Sequence, residues 1–234
     1  MLVFMRKTLT YATICLFGGF YLSANAIEIP FFAKKKAAAE RTRAIGHAKQ
    51  MLIAFTVFEF EFGVRPGVLA AAKIPGAKSA SANDCFRQIL LGIPEVRSEA
   101  IFYAASNISK KPDNEIGDIE NNFQQACAKG EVGFAYIDAP DAKDGAPLAI
   151  APLLDAKSGK FDHKKYGGKA VVLMTDGSVQ SLDIDPKTGK VFIEVAGKKV
   201  DLLSKENPHF RTPPSIRSTG PKEVEEKKDE VEKP

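Results

Sequence analysis

Cysteine, histidine and aspartate are the residues of this sequence that would carry chemistry, and their spacing supports little of it. Three cysteines and three histidines occur in 234 residues, with no CxxC pair and no two histidines four residues apart. Zinc needs three or four convergent ligands of these types, and a nucleophilic thiol or hydroxyl needs a neighbouring base. We therefore expect no catalytic residue, no metal site and no enzymatic activity.

Two clusters of aspartate offer the hard oxygen ligands that calcium favours. One cluster repeats every three residues before a glycine, and the other surrounds a predicted hairpin. Neither spacing is that of a known calcium loop, so we expect acidic surface turns and no cofactor, with calcium as the alternative. The clusters are Asp138, Asp141 and Asp144, and Asp176, Asp183 and Asp185.

Cys85 and Cys127 are the two cysteines outside the N-terminal segment. In an oxidising compartment they could form one disulfide, which would close a loop of about 40 residues and stabilise the fold by about 3–4 kcal/mol. Alternatively, each is a separate thiol in the apolar core. The sequence leaves a Cys85–Cys127 disulfide and two free thiols open.

Residues 1–26 have the pattern of a secretory signal peptide. Arg6 and Lys7 precede an uncharged stretch, residues 8–27, and Ala24-Asn25-Ala26 matches the small-residue pattern of a cleavage site. We expect cleavage after Ala26 and export to the periplasm or cell envelope. The alternative is an uncleaved inner-membrane anchor, because about 20 apolar residues can span a bilayer as a helix.

The overall composition is that of one globular domain with a tail. Apolar residues make up 44% and charged residues 26% of the chain, which excludes a collagen-like, wholly disordered or multi-span membrane protein. The 33 basic residues only slightly outnumber the 29 acidic ones, so we expect no nucleic-acid partner. We expect protein partners, and membrane contact only if residues 8–27 are retained.

Apolar periodicity predicts a long helix over residues 33–62 and a shorter helix that ends near Leu91. In the long helix, apolar residues at spacings of three and four form one stripe, which should pack on a sheet. Gly63 and Pro66 end this helix, and Ser81 or Asn83 can cap the short one. The stripe consists of Ile45, Ala48, Leu52, Phe55, Phe58 and Phe62.

Short apolar runs predict an antiparallel sheet. Asp176-Gly177 lies between two such runs and is a strong hairpin signal, for which we expect a two-residue turn with positive φ at both positions. Turns at 186–189 and 196–199 extend this hairpin into a meander. The predicted strands cover residues 101–105, 132–137, 147–153, 170–175, 178–184, 191–195 and 200–203.

The chain thus divides into three predicted parts. Residues 1–26 are a signal peptide or an anchor, and residues 27–204 form an α+β domain in which the long helix packs on the antiparallel meander. Residues 205–234 contain several prolines and end in a run of Lys, Glu, Asp and Val, which has little capacity for burial. We expect this tail to be disordered.

Several segments show a family resemblance when they are taken in order. The helix ends in Phe58-Glu-Phe-Glu-Phe-Gly-Val-Arg-Pro66, and later come Phe161-Asp-His-Lys-Lys-Tyr-Gly-Gly168, a strand, and Asp176-Gly-Ser-Val179. This order resembles type II secretion pseudopilins and other prepilin-type proteins, particularly those of verrucomicrobia and planctomycetes. The resemblance covers residues 37–185. The Gly-Phe-Thr-Leu-x-Glu cleavage motif of prepilins is missing, because Ser and Ala follow Gly19-Phe-Tyr-Leu22.

The resemblance implies a pilin-like fold, with an N-terminal helix laid across an antiparallel sheet, and no catalysis. It implies an exported, non-enzymatic protein that acts through protein–protein contacts in the cell envelope. The alternative is a membrane-anchored pseudopilin or accessory subunit of a type II secretion or type IV pilus system, whose partners would be components of that system. The family-like hairpin motif consists of Gly167, Gly168, Asp176, Gly177, Ser178 and Val179.

Overall fold

The computed structural model describes the backbone of residues 2–219 and the side chains of residues 32–118 and 120–219. The chain divides into two units, Met1–Ala39 and Glu40–Pro234. The signal-peptide prediction for residues 1–26 concerns side chains outside the described residues, and residues 220–234 of the predicted tail lie outside them as well. Among the described residues, no helix is long and apolar enough to cross a membrane.

The first helix, α1, comprises Leu2–Phe62 and begins well before residue 33. From Glu40 onward it belongs to the second unit, where one face is buried in the core. This face follows the predicted apolar stripe, and the side chains of Ala48 and Phe58 have no exposed surface. Gly63 ends the helix as predicted, with φ of 66° and its N–H donating to the carbonyl of Glu59.

Two short helices follow, α2 (Val68–Ala71) and α3 (Ala82–Gly92). Of the two predicted caps for α3, Ser81 is the one observed, because its side chain accepts a hydrogen bond from the N–H of Asp84. The Asp84 carboxylate accepts in return from the N–H of Ser81, at 3.1 Å. This reciprocal capping box satisfies donors that the first helical turn leaves free.

The described residues contain three antiparallel sheets of short strands. The strands are β1 (Ala135–Asp138), β2 (Pro147–Ala151), β3 (Leu153–Asp155), β4 (Lys160–Phe161), β5 (Lys169–Met174), β6 (Val179–Asp183), β7 (Phe192–Val195), β8 (Lys198–Asp201) and β9 (Ser215–Arg217). The largest sheet has the order β6-β5-β2-β1-β9, while β3 pairs with β4 and β7 with β8. The fold is therefore α+β, with a long N-terminal helix and antiparallel sheets, as the sequence predicts.

The five-stranded sheet is covered on both faces. Side chains alternate along β5, so Val171 and Leu173 pack in one apolar cluster with the buried face of α1. Val172 and Met174 point to the opposite face and pack in a second cluster with Val191, among others. This double burial explains why β2 and β5 read as continuous apolar runs rather than as alternating ones.

The hairpin between β5 and β6 is confirmed, but the predicted turn type is wrong. Gly177 has φ of 86° and donates to the carbonyl of Met174, whereas Asp176 does not have positive φ. The loop is therefore a three-residue turn that ends in a left-handed glycine. The tight turn with two positive φ values occurs instead between β7 and β8, at Ala196 (50°) and Gly197 (76°).

Two other predictions about the strands need correction. Residues 101–105 are not a strand, because Glu99–Phe102 forms a short 3₁₀ helix. The meander is interrupted after β6, where a single bridge between Ile184 and Val191 leads to the separate β7–β8 pair.

The disorder predicted from residue 205 onward is wrong for residues 205–219. Phe210 is buried in the second apolar cluster, and β9 pairs with β1. Arg217 of β9 also forms an ion pair with Asp138 of β1, with 2.7 Å between Nη2 and Oδ2. Prolines surround this short strand, so it lacked the alternating pattern that identifies strands in a sequence.

Candidate functional site

The residues of the family-like hairpin motif lie in two separate turns. Gly167 and Gly168, with φ of 66° and 81°, lead the chain into β5. Asp176, Gly177 and Ser178 form the turn at the other end of β5, and Val179 begins β6. The six residues of β5 separate the two turns by about 20 Å. The motif therefore shapes the hairpin and does not converge on one site.

Cys85 and Cys127 are free thiols in the structure, and both are buried in the first apolar cluster. This arrangement is the second of the two alternatives that the sequence left open. Burial raises the pKa of the Cys85 thiol to about 12, and burial also raises the pKa of the Cys127 thiol. Because the thiolate is the nucleophilic form, these protonated thiols are poor nucleophiles at neutral pH.

The aspartates of the two sequence clusters do not come together among the described side chains. Asp138 pairs with Arg217, and Asp183 pairs with Lys169 at 2.6 Å between Oδ1 and Nζ. Three others accept hydrogen bonds: Asp176 from Ser178, Asp185 from Lys187, and Asp141 from Thr212, which lies 71 residues further along the chain. Among the described side chains, neither cluster brings three ligand atoms within 4.8 Å of one another.

A different carboxylate cluster, which the sequence did not reveal, lies in the segment between α3 and β1. Glu99, Asp113 and Glu131 each place a carboxylate oxygen within 4.8 Å of the other two. Glu99 and Glu131 are buried, each with 1% of its surface exposed, and Asp113 is exposed. The three residues are far apart in sequence and follow no periodic pattern, so only the folded segment brings them together.

Backbone donors hold the two buried carboxylates of this cluster. Glu99 accepts from the N–H of Asn114 at 2.8 Å and from the N–H of Cys127 at 2.6 Å. Glu131 accepts from the N–H of Ala128 at 2.8 Å, and its other oxygen lies 3.3 Å from Nζ of Lys110. Glu99 and Glu131 thereby fix the course of an irregular segment.

The charges of the cluster determine its chemistry. Burial raises the pKa of the Glu99 carboxyl, and the neighbouring carboxylates of Glu131 and Asp113 add to the rise against the opposing hydrogen bonds. Three ionised carboxylates and the Lys110 ammonium group together carry a charge of −2, and carboxylate oxygens are ligands that hard cations accept. The same group can instead lower its charge by keeping a proton on Glu99.

An apolar groove of about 660 Å³ lies between α1 and the chain that follows α3. On the helix side, Ile53 and Val57 line it, with 65% and 40% of their surface exposed. Across the groove, Val96 and Ile101 contribute apolar side chains. Phe60, on the same helix, is 85% exposed. This surface combines large exposed apolar side chains with a concave shape.

A second cavity, of about 550 Å³, lies beside β1. Its polar groups are engaged with one another or with neighbours: Tyr136 donates its hydroxyl to the carbonyl of Pro66 at 2.5 Å, and Asp138 pairs with Arg217. Burial raises the pKa of the Tyr136 hydroxyl well above its ordinary value. This cavity therefore presents a neutral phenol and a paired carboxylate.

Comparison with known proteins adds no relative to this picture. No family model, no curated protein and no solved structure matches this chain. What the protein does is therefore inferred from its fold and its surfaces.

Proposed function

We propose that this chain is an exported, non-enzymatic protein of pilin-like fold that acts through protein–protein contacts in the cell envelope. The observation that carries the proposal is the arrangement of α1 and the sheet. A long N-terminal helix packs an apolar stripe, with Phe55 and Phe58 at its centre, against a face of an antiparallel sheet.

The chemistry of the described residues supports a role in contacts rather than in catalysis. The two buried thiols are protonated. Asp138 is held in an ion pair with Arg217, and Asp176 accepts a hydrogen bond within its turn. The helix, by contrast, exposes Ile53 and Phe60 to solvent. Large exposed apolar side chains that adjoin a groove are typical of interaction surfaces.

The alternative within this proposal is a membrane-anchored pseudopilin or accessory subunit of a type II secretion or type IV pilus system. The two versions differ in the fate of residues 8–27, which are uncharged. If these residues are retained, they would hold the protein in the inner membrane. If they are removed, the protein would be released into the periplasm.

The test is the intact mass and membrane partition of the full chain made in its native cells. A soluble species that begins at Ile27 supports the exported form. A membrane species that retains residues 8–27, or a species in sheared pilus fractions that begins at Phe20, supports the anchored alternative. A soluble cytoplasmic species that retains Met1 contradicts export altogether.

A variant pair makes this measurement sharper. Ala24→Leu combined with Ala26→Leu removes the small residues that signal cleavage requires, and we expect a shift from soluble protein to membrane-bound precursor. Asn25→Gln changes the residue between them and serves as the matched control. If the double variant is processed like the wild type, cleavage does not occur at Ala26.

A further inference from the structure

The carboxylate cluster between α3 and β1 contains an oxygen that its protein neighbours do not satisfy. Oε1 of Glu131 is buried and accepts no hydrogen bond from the described residues. The Lys110 ammonium nitrogen lies 3.3 Å from this oxygen, but it does not donate a hydrogen bond to it. Because a buried carboxylate oxygen without a donor is costly, this oxygen is a candidate ligand for a further group.

The backbone holds both buried carboxylates of the cluster in place. Cys127 and Ala128 are consecutive in the chain, and their N–H groups donate to Oε2 of Glu99 and to Oε2 of Glu131, respectively. Each carboxylate oxygen has two lone pairs, so these bonds leave acceptor capacity on both side chains. The two carboxylates are therefore positioned by the fold and still able to bind a cation.

We propose that Glu99, Asp113 and Glu131 bind one calcium ion. One oxygen of each residue lies within 4.8 Å of the other two. Calcium binds oxygen at about 2.4 Å, so two of its ligands are at most about 4.8 Å apart, and the three oxygens lie within the span of one ligand shell. The proposal goes beyond the proposed function and does not depend on export. The site is also distinct from the two aspartate clusters of the sequence.

The charge of the cluster fits a divalent ion. The three ionised carboxylates and the Lys110 ammonium group together carry −2, so one divalent cation brings the sum to zero. A monovalent ion would leave a negative charge among buried groups. The side chain of Lys110 is 47% exposed, so its ammonium group can turn towards solvent when a metal ion binds beside Glu131.

The types of ligand favour calcium over other divalent ions. The three side chains offer only oxygen, whereas zinc prefers histidine nitrogen and thiolate sulfur. The neighbouring Cys127 contributes its N–H to Glu99, and burial raises the pKa of its thiol. Magnesium requires a nearly regular octahedron, while calcium accepts irregular shells that water completes. Asp113 is exposed, so water and the ion can reach the site from this side.

The test is a calcium titration of the full chain, in the N-terminal form that the intact mass identifies, after bound metal has been removed with EGTA. Calcium chloride is added near neutral pH, and binding is followed by calorimetry and by the midpoint of thermal unfolding. We expect one site with a Kd of about 10⁻⁴ M, the range of weak extracellular modules. The midpoint should rise with calcium concentration, because the ion binds the folded state.

Variants of the proposed ligands locate the site. Asp113→Asn should weaken calcium binding at least about tenfold, and this variant should fold because Asp113 is exposed. Glu131→Gln should remove binding, since it replaces the buried oxygen that lacks a donor. Glu115→Gln is the matched control: it neutralises another exposed carboxylate of the same segment and should leave the Kd unchanged. Binding that persists in both ligand variants would overturn the location.

Lys110→Met separates a metal site from an ion pair that serves only the fold. In EGTA, this variant should unfold at a lower temperature than the wild type, because the carboxylates lose their positive neighbour. In calcium, it should bind the ion about tenfold more tightly, because a competing positive charge is gone. If the cluster serves only the fold, calcium will not restore the midpoint of this variant.

Two further outcomes contradict the proposal. If the wild-type chain shows no heat of binding and no midpoint shift up to about 10 mM calcium, ten times the Kd of the weakest calcium modules, the cluster is balanced by Lys110 and a proton alone. A chain that binds zinc but not calcium overturns the assignment to a hard cation. Neither outcome bears on export, which the mass and partition measurement decides separately.

Discussion

The five-stranded sheet and the segment between α3 and β1 both contribute side chains to the first apolar cluster, but they are held in different ways. In the sheet, backbone groups bond to neighbouring strands in register, as in the five residue pairs that join β5 to β6. The connecting segment, residues 93–134, contains no strand. Side chains form hydrogen bonds with many of its backbone N–H and C=O groups. Glu99 alone accepts from two backbone N–H groups, and Asn83 of α3 donates to the carbonyls of Cys127 and Ala128.

Because of this difference, the substitution of one side chain should change the stability of the two regions by different amounts. In a ladder, most exposed side chains can change while the backbone bonds remain, because the bonds belong to the main chain. In the connecting segment, the loss of one polar side chain leaves several backbone groups without partners. We therefore expect the connecting segment to be the more sensitive of the two regions to polar substitutions.

The largest expected effect comes from Gly133→Ala, at the junction of the two regions. A Cβ atom at Gly133 would lie 1.8 Å from the carbonyl oxygen of Ala104, and its other nearest neighbours are backbone atoms too. Backbone cannot rotate away like a side chain, and the N–H of Gly133 also donates to the carbonyl of Phe102. We expect a loss of more than about 3 kcal/mol in the free energy of unfolding, measured with urea.

Gly46→Ala is the control for this substitution. Gly46 lies within α1, and a Cβ there would meet nothing within 4 Å. Alanine is the better helix former, so the free energy of unfolding should rise by up to about 1 kcal/mol. Equal tolerance of both substitutions would mean that the connecting segment does not pass as closely to Gly133 as described.

The second prediction concerns the carboxylate that anchors the connecting segment. Glu99→Ala should lower the free energy of unfolding by about 2–3 kcal/mol, because the N–H groups of Asn114 and Cys127 both lose their acceptor. Glu115→Ala removes an exposed carboxylate from the same segment and should change it by no more than about 0.5 kcal/mol. If the two variants are equally stable, the segment is held by its apolar contacts alone.

The third prediction is a dependence of stability on pH that belongs to this region. The pKa of Glu99 lies above its ordinary value of 4.5 in the folded protein, because burial and the neighbouring carboxylates disfavour the charge. The folded state therefore holds this proton more tightly than the unfolded state does, and stability falls as pH rises from 4.5 through the raised pKa. The slope for one proton cannot exceed about 1.4 kcal/mol per pH unit.

The turns of the sheet should affect the pH dependence in the opposite direction: at low pH, stability should rise as the pH rises. The pKa of Asp176 is lowered from 3.8, chiefly by the hydrogen bond from the N–H of Ser178, so its stabilisation is lost as pH falls below that value. Urea midpoints across the range from pH 3 to 8 should therefore pass through a maximum. Glu99→Gln should remove the decline on the alkaline side and leave the acid side in place; persistence of that decline would assign it to another group.

The sequence revealed the sheet far better than the connecting segment, and the physical cause is the range of the interactions. Apolar periodicity located the stripe of α1, and short apolar runs located β2, β5 and β6. These patterns are local. The side chain of Glu99, by contrast, acts on the N–H of Cys127, 28 residues away, and no local pattern records that contact.

The same limit applies to the candidate surfaces. The sequence directed attention to Asp176 and Asp183 because they are close along the chain, whereas the observed carboxylate cluster joins Glu99, Asp113 and Glu131 from distant positions. Phe60 carried a clearer signal, because it falls off the buried helical stripe that runs through Phe55 and Phe58. An aromatic residue at an outward helical position could have been recognised from periodicity alone.

The smallest expected effect compares two hairpin turns of the sheet region. Ala196 has φ of 50°, a left-handed conformation that alanine adopts with strain and that asparagine tolerates better. Ala196→Asn should therefore raise the free energy of unfolding by about 0.5–1 kcal/mol. Asp176→Asn, in the turn that precedes β6, should bring no such gain, because Asp176 does not have positive φ. A gain at residue 176 and none at residue 196 would mean that the two turns have the opposite assignment, with the two-residue primed turn at Asp176-Gly177.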